Sequence, residues 1–139
     1  DQGMDKILYF AAMIKRHKDF ELVVEPELNI LGYRYVPYWL QQALQQATSD
    51  QAGEVNACLD QITRLIQKAQ RADGQTFVSR TRVDNHLYDD QVITVFRVVL
   101  ANPLTTLEVL NSVLDEQLEL AKHQDIQDIL AEIKAILTA

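Results

Sequence analysis

Apolar positions in the first twenty residues recur at the helical period. Ile7, Phe10, Ala11 and Ile14 fall at i, i+3, i+4 and i+7 and predict one amphipathic helix. Lys15-Arg16-His17-Lys18 closes it with positive charge, which suits the negative end of a helix dipole. The period then changes to two. Phe20–Val24 reads as a short strand, with Glu25-Pro26-Glu27 as the turn after it. Leu28–Pro37 reads as a second strand, carrying Asn29, Leu31, Tyr33 and Tyr35 on one face and Leu28, Ile30, Gly32, Arg34 and Val36 on the other. Gly32 in mid-strand signals a bulge or a close backbone approach, and Pro37 ends the run.

Helical spacing returns at Tyr38–Ala47, with Leu40, Ala43 and Leu44 inward. Thr48 and Gln51 have the spacing of a capping box. They open a helix from Gln51 to Arg71 with Val55, Leu59, Ile62, Ile66 and Ala69 on one stripe. Asp73-Gly74 ends it, glycine taking the left-handed position at low cost. Gln75–Val83 and Asp90–Leu100 read as strands joined by the polar loop Asp84-Asn85-His86, short enough to make them antiparallel neighbours. Asn102-Pro103 stops the second. Thr105 and Glu108 form another box, before a helix with Leu107, Leu110, Leu114, Leu118 and Ala121 inward. A phase slip near His123 leads into a last helix with Ile126, Ile129, Leu130, Ile133 and Ile136. This order predicts an α+β fold in two layers, an antiparallel sheet of about four strands covered by helices.

The length of 139 residues corresponds to one domain, or one domain plus an appendage. Because the first helix has almost no lead-in, residue 1 looks like a cut through a longer chain. Basic and acidic residues sum to 13 − 20 = −7, which argues against a nucleic-acid partner. No apolar run approaches the roughly 20 residues of a bilayer span, and the N-terminus does not resemble a signal peptide. The single cysteine, Cys58, rules out an internal disulfide and fits a reducing compartment, so the expected location is cytoplasmic.

Few residues suggest chemistry. Four glycines supply no phosphate loop. His17, His86 and His123 lie in separate segments, so no metal site is expected from them. Cys58 beside an apolar stripe reads as a buried thiol rather than a nucleophile. The adjacent carboxylates Asp89 and Asp90 would point to opposite faces of a strand. Two features stand out. Arg97 lies inside Val92-Ile93-Thr94-Val95-Phe96-Arg97-Val98-Val99-Leu100, a strand greasy on both faces and therefore central. An embedded guanidinium keeps its charge and needs a carboxylate, from the protein or a ligand, unless it reaches water. The other is Tyr33-Arg34-Tyr35-Val36-Pro37-Tyr38-Trp39, either an interface surface or a half-buried edge strand.

Phe20-Glu21-Leu22-Val23-Val24, Pro26-Glu27 and Asn29-Ile30-Leu31-Gly32-Tyr33-Arg34-Tyr35-Val36-Pro37 resemble the opening of the small C-terminal domain of pyridoxal-phosphate-dependent amino-acid decarboxylases. Phe77-Val78-Ser79-Arg80-Thr81-Arg82-Val83, Val95-Phe96-Arg97-Val98-Val99-Leu100-Ala101-Asn102-Pro103 and Thr105-Thr106 resemble its end. The similarity is to the glutamate-decarboxylase-like bacterial branch that includes the pyridoxal-dependent aspartate 1-decarboxylases.

The resemblance implies that the cofactor lysine and the groups around the pyridine ring lie in a large domain upstream of this chain. Residues 1–139 would then be the C-terminal small domain alone, inactive and without bound pyridoxal phosphate. His17-Lys18 sits in a basic helix end and is a decoy for the cofactor lysine. Arg97 matches the family arginine that binds a substrate carboxylate. The partners implied are an amino-acid substrate, glutamate or aspartate, the rest of the decarboxylase chain, and a second copy in a homodimer. The competing reading is a free-standing α+β module that binds a small acid or serves in assembly.

Overall fold

The computed structural model describes residues 2–74, 78–85, 91–100 and 105–139. The elements run α1 (Gln2–Arg16), β1 (Phe20–Glu27), β2 (Ile30–Tyr35), α2 (Tyr38–Gln46), α3 (Ser49–Ala72), β3 (Val78–Asn85), β4 (Gln91–Val99), α4 (Leu107–Ala121) and α5 (Gln124–Thr138). The four strands form one antiparallel sheet in the order β1-β2-β4-β3, so the expected α+β architecture holds and β4 is central.

One sheet face makes the core. Phe20, Leu31, Tyr33, Phe96 and Val98 meet Ile7, Phe10 and Ile14 of α1, Leu59, Ile62 and Ile66 of α3, Leu110 and Val113 of α4 and Ile126 and Ile133 of α5. Tyr33 lies at the centre of this face, its ring 5.7 Å from Phe10 and 5.7 Å from Phe20 in edge-on contacts. Edge-on packing sets the positive rim of one ring against the negative face of another.

On the opposite face Gly32 lies across from Arg97. A Cβ on Gly32 would stand 3.0 Å from Val24 Cγ2 and 3.2 Å from Val95 Cγ2. The mid-strand glycine is therefore a close approach, and β1 shifts register nearby, between Leu22 and Val24.

Several boundaries differ from the sequence expectation. The β1–β2 turn is Leu28-Asn29, both left-handed (φ 51° and 68°), rather than Glu25-Pro26-Glu27. A two-residue type I′ hairpin turn needs positive φ at both central positions. Pro26 stays in the strand because β1 is an edge, where a missing N–H is tolerated. Thr48 and Gln51 do form the reciprocal box at the start of α3, and Gly74 takes φ +93° just past its end. At α4 the cap is Thr106, which accepts from the Val109 N–H (3.2 Å), whereas Thr105 turns inward and is buried. The buried stripe of α4 is Leu110, Val113, Leu114, Gln117 and Ala121, which leaves Leu107 at the surface. Asn102-Pro103, His86 and the Asp89-Asp90 pair lie outside the described residues.

Candidate functional site

Arg97 lies in the central strand as expected, but its side chain is exposed rather than embedded. The reason is local. Its cross-strand neighbours are Gly32, which has no side chain, and Ser79, which is short and itself exposed. Val99, two residues along the same face, is 39% exposed. Among the described residues no carboxylate pairs with Arg97, so its fork lies open on the sheet surface.

The embedded guanidinium is Arg34, which is 0% exposed. The β1–β2 register sets it opposite Glu21, and its Nε–H donates to Glu21 Oε1 at 3.0 Å. Its Nη1 donates to Asn56 Oδ1 at 3.0 Å. The Asn56 amide in turn donates to Gln91 Oε1 (2.7 Å), and Gln91 to the Ser49 carbonyl (3.4 Å). One hydrogen-bonded chain thus joins β1, β2, α3 and β4. A buried charge is tolerated only with such partners.

Two more polar groups fix α3 against the sheet. Asp60 Oδ1 accepts the Thr94 N–H at 2.7 Å. The β2–β4 pairing is confined to Ile30–Tyr33 against Val99–Phe96, so a side chain takes the ladder position beyond it. On the core face the Tyr33 hydroxyl donates to Gln117 Oε1 (2.8 Å), whose amide donates to Gln70 Oε1 (3.0 Å). Burial pushes the Tyr33 hydroxyl far above the usual tyrosine range, against a smaller lowering by the Gln117 hydrogen bond. Tyr33 is a buried donor, not an acid or base.

The Tyr33–Trp39 run splits between roles. Tyr33 through Pro37 are buried, and only Tyr38 and Trp39 face outward, Trp39 beneath the Lys134 ammonium at 4.9 Å from its ring centroid. His17 lines a cleft of about 480 Å³ with Asp19, Tyr35, Asp115, Glu119 and Lys122. Its Nδ1 accepts the Asp19 N–H at 3.2 Å and its ring packs edge-on against Phe20. Burial, then the Asp19 charge, raises the Tyr35 hydroxyl. A hydrogen bond from Lys122 lowers the Glu119 carboxyl. Cys58 is buried, and burial followed by the charges of Glu132 and Glu54 raises its thiol. The protonated thiol is no nucleophile.

Pyridoxal phosphate needs a desolvated lysine for its Schiff base. Lys15, Lys18, Lys68, Lys122 and Lys134 are exposed and Lys6 is half-buried. These residues do not fit a cofactor site within the chain. Among the described residues no three His, Cys, Asp or Glu side chains gather to hold a metal, and no helix is long and apolar enough to cross a membrane.

This sheet, with helices on one face and a cationic strand centre open on the other, has the fold of a domain found in amino-acid decarboxylases. It matches mouse CSAD with a TM-score of 0.65 at 23% identity, over 86% of this chain and 22% of that one. It also matches the glutamate decarboxylase domain of diaminobutyrate-pyruvate transaminase and L-2,4-diaminobutyrate decarboxylase from Vibrio parahaemolyticus, with a TM-score of 0.61 at 21% identity, over 87% of this chain and 21% of that one. In sequence the chain is related to aspartate 1-decarboxylase of Aliivibrio fischeri, 51% identical over 126 residues. That match takes in 91% of this chain and 23% of the relative, so the chain spans about a quarter of its relative's length. The resemblance to the pyridoxal-phosphate-dependent decarboxylases, read first from the sequence, is borne out. No family model matches the chain.

Proposed function

We propose that residues 1–139 are the C-terminal small domain of a pyridoxal-phosphate-dependent decarboxylase that removes CO₂ from an acidic amino acid, aspartate or glutamate. The observation that carries this reading is the 51% identity to aspartate 1-decarboxylase along nearly the whole chain. The cofactor, held by the rest of the parent protein, would supply the electron sink for decarboxylation. What this chain contributes is Arg97. Its guanidinium stays charged at every working pH and offers a planar fork that matches a carboxylate with two parallel hydrogen bonds. When the remaining domains cover the open sheet face, the fork loses its water and needs an anion in exchange. A substrate carboxylate meets that need and is held in one orientation relative to the cofactor. The exposure of Arg97, beside the short and exposed Ser79, supports this role. The parent is proposed to act in the cytoplasm as a homodimer, with the rest of its own chain as this domain's first partner.

The test is a chimera in which this chain replaces the matching segment of the A. fischeri enzyme. A folded, cofactor-loaded chimera should release CO₂ from aspartate or from glutamate, and the ratio of the two rates names the substrate. A folded, loaded chimera that releases CO₂ from neither contradicts the proposal and favours the free-standing binding module.

A further inference from the structure

A second concentration of positive charge lies away from Arg97. Across the β3–β4 ladder Ser79 faces Arg97 and Arg80 faces Phe96. Successive strand residues point to opposite faces, so Arg80 lies on the core side of the sheet. There it borders a groove of about 390 Å³ between α3 and the edge strand β3, lined by Gln61, Arg64, Leu65, Lys68 and Arg80. The four α3 residues fall at i, i+3, i+4 and i+7, a single helix face.

Three cations from two elements line this groove, and among the described residues no carboxylate does. This occurs in a chain of net charge −7. Arg64 and Lys68 are four apart, a spacing at which like charges destabilise a helix. The nearby Asp60 is already occupied, its two oxygens meeting the Thr94 N–H and Arg82 Nη1 (3.4 Å). Arg64, Lys68 and Arg80 make no ion pair among the described residues. Leu65, 37% exposed, gives the groove an apolar side, and Gln61 adds an amide donor.

We propose that this groove binds a small phosphate monoester, its dianionic head on Arg64, Lys68 and Arg80 and its apolar part on Leu65. Charge-assisted hydrogen bonds from a mixed arginine and lysine set suit a phosphate's three terminal oxygens. The apolar wall distinguishes an organic phosphate from the bare ion.

The test uses thermal melting and calorimetric titration of the 139-residue chain with phenyl phosphate and with inorganic phosphate, at constant ionic strength. Phenyl phosphate should raise the Tm saturably and bind roughly tenfold more tightly than inorganic phosphate. Arg80→Gln and Lys68→Gln should each weaken it by about fivefold or more, since each removes one charge-assisted contact. Lys68→Gln should also raise the Tm of the ligand-free chain by relieving repulsion. Equal affinity for the two anions overturns the role of Leu65. A response that is unsaturable, or equal in Arg80→Gln and the parent chain, overturns the site.

Discussion

Arg34 and Arg97 lie on one face of one sheet, yet the fold treats them in opposite ways. Gly32 is paired with Arg97, and Arg34 follows two residues later, so all three share that face. At the Arg34 end the face is closed. Glu21 reaches across from β1, Asn56 comes down from α3, and Ile93 and Val95 are fully buried. At the Arg97 end nothing described covers the sheet, and Ser79 and Val99 stand exposed beside it. The same side-chain type is thus a structural tie where its partners are internal, and an exposed cation where, among the described residues, they are missing. Burial alone does not mark a functional arginine, since the buried Arg34 is answered by Glu21 and Asn56 of its own fold.

The largest expected effect lies at the closed end. Arg34→Met strands Glu21 and breaks the chain through Asn56 to Gln91, and urea unfolding should show a loss of about 3 kcal/mol. Next comes the residue between the two ends. Gly32→Ala drives a methyl onto Val24 and Val95, and the same measurement should show a loss of about 2 kcal/mol from overpacking.

Tyr33→Phe, on the other face, leaves Gln117 Oε1 buried without its donor, at a cost of about 1 kcal/mol. Its pH dependence is more telling. The folded hydroxyl is raised by burial while the unfolded one titrates near its ordinary value of about 10. The folded state therefore holds the proton longer. Its contribution is complete below about pH 10 and is lost as pH rises above the unfolded value. Tyr33→Phe should accordingly flatten the fall of Tm in alkali, and an unchanged slope would contradict a buried hydroxyl. The smallest effect is at the open end, where Arg97→Gln should shift stability by less than about 0.5 kcal/mol.

The fold was largely legible in the sequence because period and caps are local. The stripes of α1, α3 and α5 and the Thr48–Gln51 box follow from nearby residues, whereas the crowding at Gly32 comes from Val24 and Val95 on its two flanking strands. The site was legible only in part. Arg97 drew notice because aliphatic residues surround it in sequence, but its cross-strand neighbours Gly32 and Ser79, which set its exposure, are fixed by register rather than by spacing along the chain. Arg34, between two tyrosines, resembled an edge residue. Its burial arises from Glu21, Asn56 and Gln91, contributed by three other elements. The one available signal was the opposed pair Glu21 and Arg34 on consecutive strands, once the short Leu28-Asn29 turn sets their register. Likewise the pull of Glu25-Pro26-Glu27 as a turn came from composition, and edge position overruled it.

The proposed grip of Arg97 on an acidic substrate is best checked by the steady-state kinetics of the chimeric decarboxylase carrying this domain, with and without Arg97→Gln, alongside the Tm of each. Arg97→Gln should lower kcat/KM by about a hundredfold or more while the Tm stays within a degree or so of the parent chimera's. An Arg97→Gln chimera that keeps full kcat/KM would contradict it.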